Sequence, residues 1–131
     1  MPQRTILIVD DDPLILQFLM EVLKPLGHQI VTATEGYEAT MRAQQDKPDL
    51  IITDIEMPAG SGPVFYDRVQ HFSGSMGKPV IFISGRQDGA QLVPSKPNVR
   101  FIPKPVDIEV LLTTIEELLP SERPPAPDYG G

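Results

Sequence analysis

The chain has 131 residues, with 11 Lys+Arg against 18 Asp+Glu and a formal net charge of −7. That length suits one domain with a core of its own, and the acidic balance argues against a free-standing nucleic-acid binder, which needs a basic face. With no cysteine, disulfide frameworks, thiol catalysis and Cys-ligated zinc are excluded. No apolar run approaches the roughly 18 residues of a membrane span, and the opening Met-Pro-Gln-Arg leads directly into a strand-like run rather than a signal peptide, so a cytoplasmic domain is expected.

The first apolar run, Ile6-Leu-Ile-Val9, is short and β-branched and reads as a buried strand. Asp12-Pro13 then supplies an N-cap and an N1 proline for a helix. Its stripe is Leu14, Ile15, Phe18, Leu19, Val22, Leu23 and Leu26, with Gly27 at C′. A second strand is expected at Gln29-Ile-Val-Thr32, followed by a weaker helix over about residues 37–45 with Ala39 and Ala43 facing inward. The third strand is Leu50-Ile-Ile-Thr53, a third helix carries Val64, Phe65, Val69 and Phe72, and the fourth strand is Val80-Ile-Phe-Ile83. Residues 86–98 should hold the next helix, but Pro94 and Pro97 limit it to a short turn or an irregular loop. Arg100-Phe-Ile102 reads as a weaker fifth strand, and Asp107 caps a last helix with Ile108, Leu111, Leu112, Ile115, Leu118 and Leu119 on one face. Residues 120–131 are rich in Pro and Gly without apolar periodicity, and read as a flexible tail or linker after a domain of residues 1–119.

Strands alternating with helices imply a doubly wound α/β domain, a parallel sheet covered on both faces through right-handed crossovers. In such sheets the ligand site lies beyond the carboxyl ends of the strands. The residues there are Asp10-Asp11-Asp12 after the first strand, Asp54 after the third, Ser84-Gly85 after the fourth and Lys104-Pro105 after the fifth. Clustered carboxylates repel and do not all ionise without a cation among them. An oxygen-only set with no His or Cys suits a hard ion, Mg²⁺ above all. A lysine and a hydroxyl beside such a metal can neutralise the equatorial oxygens in phosphoryl transfer, and a carboxylate aimed at the same spot can be the attacking nucleophile.

Five motifs stand in order: Ile8-Val-Asp10-Asp11-Asp12-Pro13, Pro48-Asp-Leu-Ile-Ile-Thr-Asp54-Ile-Glu-Met57-Pro58, Gly60-Ser-Gly62, Phe82-Ile-Ser84-Gly85 and Phe101-Ile-Pro-Lys104-Pro105. On these the chain resembles a two-component response regulator receiver domain over about residues 4–119. The resemblance implies a flavodoxin-like, doubly wound, five-stranded parallel sheet of order 2-1-3-4-5 with helices on both faces, the fourth helix here short or irregular. It implies that Asp54 accepts a phosphoryl group, that Asp11 and Asp54 ligate Mg²⁺ directly, that Asp10 holds it largely through water, and that the Glu56 backbone carbonyl is a further ligand. It implies that Ser84 and Lys104 bind phosphoryl oxygens, that a cis bond to Pro105 aims Lys104, and that Ser84 and Phe101 are the switch pair. Asp12 is left as a helix cap that adds negative field. Ser84 stands where Thr is frequent and keeps the hydroxyl. Glu56 and Arg86, two residues beyond Asp54 and Ser84, are expected to pair over the site and slow dephosphorylation.

The function this implies is a phosphorylation-dependent switch of a two-component or phosphorelay system, catalysing only its own phosphoryl transfer and hydrolysis rather than acting as a metabolic enzyme. The partners implied are a histidine kinase or histidine phosphotransfer protein as donor, an unidentified downstream protein or output domain as target, and a weak homodimer, with no direct binding to nucleic acid or membrane. Three rival readings fit the motifs less well. A degenerate docking module would normally lack Asp54 or Lys104. An Asp-nucleophile phosphatase of the haloacid-dehalogenase kind needs Asp-x-Asp and a cap domain, whereas here Asp54-Ile-Glu56 leads into Met57-Pro58. A nucleotide or flavin binder needs a Gly/Ser/Thr-rich phosphate loop where Asp10-Asp11-Asp12 stands. His28 and His71 are isolated and read as solvated.

Overall fold

The computed structural model describes residues 4–55 and 77–119. Among them, five strands form one sheet: β1 (Thr5–Val9), β2 (Gln29–Ala33), β3 (Leu50–Asp54), β4 (Val80–Ser84) and β5 (Val99–Pro103). All pairings are parallel, in the order β2-β1-β3-β4-β5. The helices described are α1 (Pro13–Leu23), α2 (Gly36–Asp46), α3 (Gly89–Leu92) and α4 (Ile108–Leu118). The expected helix through Val64 and Phe72, the Pro58-to-Gly62 loop, Glu56, His71 and the 120–131 tail lie outside the described residues.

Alternating side chains divide the core into two layers, as a parallel sheet covered on both faces requires. Ile6, Ile8, Leu50, Ile52, Ile81, Ile83 and Ile102 pack with Leu16, Leu19 and Leu23 of α1 and Leu111 and Ile115 of α4. Leu7, Val9, Val31, Ile51, Val80 and Phe82 form the other layer with Ala39 and Ala43 of α2. The small residues on α2 let it lie close to the sheet. β3 and β4 are buried along their whole length, which explains why their sequences are continuous apolar runs rather than alternating ones.

The caps follow the sequence. The Leu14 N–H donates to Asp12 Oδ1 at 2.9 Å, Pro13 opens α1, and the Val110 N–H donates to Asp107 Oδ1 at 3.1 Å. Ile15, Phe18, Leu19, Val22 and Leu23 of the expected α1 stripe pack into the core, and the face differs from expectation at its two ends and at Leu16. Leu16, Leu19 and Leu23 are its buried residues, whereas Leu14 is 72% exposed and Leu26 is exposed as well. Pro25 cannot donate to the helical ladder, so Lys24–Leu26 tightens into a 3-10 turn closed by Gly27 at φ 79°, and Leu26 leaves the α-helical stripe. Leu14 lies in the first turn of α1. The helix between β4 and β5 is a single turn, the short element that Pro94 and Pro97 demanded. His28 is half-buried rather than solvated, its Nδ1 accepting from the Arg4 N–H at 3.2 Å. No helix among the described residues is long and apolar enough to cross a membrane.

Candidate functional site

Strand order reverses between β1 and β3, so the loops leaving their carboxyl ends diverge and open a crevice at that edge. Asp10 stands immediately after β1, with its N–H carrying the ladder on to the Ala33 carbonyl at 3.1 Å. Asp54 is the last residue of β3. Asp10 is fully buried, Asp54 is 7% exposed, and Asp11 faces solvent. One carboxylate oxygen from each of these three residues can lie within 4.8 Å of the others.

Local bonds hold the acids in place. The Asp12 N–H donates to Asp10 Oδ1 at 2.9 Å, turning Asp10 Oδ2 toward the crevice. The Thr53 hydroxyl donates to the Asp54 carbonyl at 3.0 Å. Lys104 follows β5, tied down by its N–H to the Ser84 carbonyl at 2.9 Å, and the Lys104–Pro105 peptide is cis. Its Nζ reaches both strand-end acids, at 3.1 Å from Asp10 Oδ2 and 3.4 Å from Asp54 Oδ2. Burial disfavours the charge on Lys104. The hydrogen bond that Lys104 donates to Asp10 and the fields of Asp10 and Asp54 outweigh that burial and hold the ammonium above its ordinary value.

The crevice suits a divalent cation. Its donors are hard oxygens, one of them open to solvent through Asp11, and three carboxylates set against one ammonium leave two negative charges to be balanced. Asp10, Asp11 and Asp54 are therefore the described residues that could hold Mg²⁺.

Ser84 ends β4 and is 2% exposed. Its Oγ accepts from the Arg86 N–H at 3.0 Å. The Arg86 guanidinium grips Asp88, with Nε at 2.8 Å from Oδ1 and Nη2 at 3.0 Å from Oδ2. The expected partner, Glu56, lies outside the described residues. Phe101 on β5 is half-buried and packs against Gly89, the first residue of α3.

Asp10, Asp11, Asp54 and Lys104 thus converge on one spot, while Ser84 and Phe101 flank Gly89 beside it. Sequence reasoning did not single out Asp88 or Gly89. The Arg-x-Asp spacing and an Asp directly before a helix were the available signals for the first. Nothing local marks the second, because its constraint comes from a ring on another strand.

Residues 6–116 match the response regulator receiver domain family. The chain is 33% identical over 128 residues to Protein Rrf1 of Nitratidesulfovibrio vulgaris, covering 98% of this chain and 91% of that protein. It is 34% identical over 116 residues to Protein PilH of Pseudomonas aeruginosa, covering 87% of this chain and 96% of that protein. The structure of chemotaxis response regulator CheY4 of Vibrio cholerae is similar at a TM-score of 0.79 and 28% identity, over 90% of this chain and 100% of that one. Sequence, fold and the acidic crevice agree, and the chain belongs to the response regulator receiver domain family.

Proposed function

We propose that this chain is a phosphorylation-controlled switch of a two-component or phosphorelay system, with Asp54 as the phosphoryl acceptor. One observation carries the reading: carboxylate oxygens of Asp10, Asp11 and Asp54 lie within 4.8 Å of one another, and Lys104 reaches two of those residues.

An Asp54 carboxylate oxygen attacks the phosphorus of a phosphohistidine on the donor, a histidine kinase or a histidine phosphotransfer protein. The P–N bond breaks, its electron pair stays on the imidazole, and an aspartyl phosphate remains. Asp10, Asp11, Asp54 and the Glu56 backbone carbonyl would hold Mg²⁺, which would supply charge neutralisation for the phosphoryl oxygens. Lys104 gives up its contact with Asp54 for a phosphoryl oxygen, and the Ser84 hydroxyl donates to another. Ser84 then draws its loop inward and Phe101 follows, so phosphorylation is read out at the surface of α3, β5 and α4 by a downstream protein or output domain. Contacts worth a few kcal/mol suffice to invert a two-state loop population. The domain spans residues 1–119, residues 120–131 act as a tail or linker, the setting is cytoplasmic, and water slowly returns Asp54 to its carboxylate.

The test is intact mass after incubation with Mg²⁺ and phosphoramidate or acetyl phosphate, with Asp54→Asn and a chelator as controls. The expected result is the gain of one phosphoryl group, absent from both controls. A folded protein with no gain, or equal gain in Asp54→Asn, overturns the reading.

A further inference from the structure

The carboxyl edge of the sheet is acidic, whereas its amino edge gathers cations. A basic residue stands within three positions of the start of every strand: Arg4, His28, Lys47, Lys78 and Lys96, in order from β1 to β5. The strand starts lie in register, Thr5 beside Gln29, Ile6 beside Leu50 and Val80 beside Val99, so these residues share one edge. Backbone bonds fix two of them: the Lys47 N–H donates to the Ala43 carbonyl at 3.1 Å, and the Val99 N–H donates to the Lys96 carbonyl at 3.0 Å. The acids nearby are already matched, Asp49 by Lys78 at 3.8 Å and Asp46 by Arg42 at 3.9 Å. Lys47 and Lys96 are exposed and have no ion-pair partner among the described residues.

A groove of about 230 Å³ opens at the same edge, lined by Leu26, His28, Leu112, Ile115, Glu116 and Leu119. It has room for one large apolar side chain. His28 joins the groove to the basic row, since its Nδ1 accepts from the Arg4 N–H at 3.2 Å. Lys24, exposed on the turn that carries Leu26, adds a further cation. Helix dipoles account for Lys24 and Lys47, which follow α1 and α2, but not for Lys96, which precedes a strand.

We propose that this amino edge is a docking surface for an acidic peptide segment of a partner protein, with one large apolar side chain of that segment seated in the groove. Five strands span roughly 19 Å, a width that an extended segment of about six residues crosses with alternate side chains on one face. The chain carries −7 overall, so an acidic partner is repelled elsewhere and steered to the edge where the cations are gathered. Single-stranded nucleic acid fits less well, because none of the described residues on this edge is Phe, Tyr or Trp, and bases need such platforms. A lipid surface fits less well too, because a concave groove receives an apolar group rather than inserting one. The surface lies at the opposite end of the strands from Asp54, so the proposal stands apart from the phosphoacceptor reading.

The test is fluorescence anisotropy of a short labelled peptide, a run of glutamates carrying one leucine, titrated with the full chain at low salt. Binding is expected, weakening as salt rises. Lys47→Glu combined with Lys96→Glu should weaken it about three- to thirtyfold, the worth of two exposed ion pairs. Both lysines are exposed, so the urea midpoint of that variant should stay where it is. Replacing the peptide's leucine by alanine should weaken binding to the wild type but not to Leu26→Glu, because the leucine acts only through the groove. Oligothymidylate and phosphatidylserine vesicles serve as the other arms. No binding of the peptide, equal affinity for the wild type and the double variant, or a leucine that makes no difference to the wild type overturns the inference. Tighter binding of the oligonucleotide or of the vesicles than of the peptide overturns it as well.

Discussion

The Phe101 ring occupies the space beside Gly89 that any other residue would need for its Cβ. A methyl group there would meet ring carbons Cε1 and Cζ at 2.7 Å and the Ser84 Cβ at 3.4 Å. Phe101, Ser84 and the start of α3 therefore share one small volume at the end of β4, and the ring sits half-inward only because position 89 carries no side chain.

Gly89→Ala is expected to drive the Phe101 ring outward, since the far end of a half-buried ring yields before the backbone does. Overpacking of this kind costs about 1–3 kcal/mol, offset by about 0.5–1 kcal/mol from replacing glycine within a helix. Ring resonances of Phe101 and urea midpoints of the two proteins check both parts. An unmoved ring would show that α3 shifts instead.

Lys104 neutralises two carboxylates, one of them fully buried. Lys104→Ala should cost about 1–3 kcal/mol, below the roughly 3–5 kcal/mol of breaking a fully buried pair because Lys104 keeps some contact with water. Mg²⁺ should recover part of that loss, since a ligand bound only by the folded state stabilises it by mass action. Denaturation curves with Mg²⁺ and with chelator measure both effects, and equal midpoints in the two would contradict a cation site at these oxygens.

The two helix caps act far apart and should be independent. Asp12→Ala and Asp107→Ala are each expected to cost about 1 kcal/mol, and the double variant about their sum. Asp12 carries an extra consequence, because its N–H fixes Asp10 Oδ1. That bond uses the backbone and survives the alanine, so phosphoryl uptake from phosphoramidate should be retained.

The hydrogen bond from Arg86 holds the Asp88 carboxyl below the ordinary carboxylate range. A depressed folded value means that the pair is present above the unfolded value and is lost as pH falls through the folded one. Side-chain NMR titration should find Asp88 titrating below the ordinary aspartate value, and Arg86→Gln should return it toward that value. Its effect on overall stability should be slight, because the group is solvated.

Packing sets the largest expected loss. Ile52 lies at the centre of β3 with no exposed surface, so Ile52→Ala should cost about 2–5 kcal/mol. Leu14→Ala, on the outer side of α1, should change the urea midpoint little.

The sequence alone determined the strands, the caps and the acidic set. Buried parallel strands need continuous apolar runs, so Leu50-Ile-Ile-Thr53 and Val80-Ile-Phe-Ile83 announce themselves, and the polar residues ending them, Asp54 and Ser84, fall at the carboxyl edge. Asp12 and Asp107 cap helices by bonds to residues only two or three positions away, which local sequence can encode. Pro94 and Pro97 likewise stopped α3 at one turn through steric rules that need no tertiary partner.

Only the tertiary structure decided how those pieces meet. The apolar stripe of α1 was broad enough to allow more than one rotation, and contact with the sheet chose the one that buries Leu16 and leaves Leu14 in solvent. Lys104 lies 94 positions from Asp10, and no local rule brings those two together; parallel pairing of β4 with β5 and of β1 with β3 does. Arg86 has a long, exposed side chain, and the turn after Ser84 brings Asp88 within its reach. The need for glycine at position 89 is imposed from outside its own helix, by a ring on β5, and so leaves no trace in the residues around it.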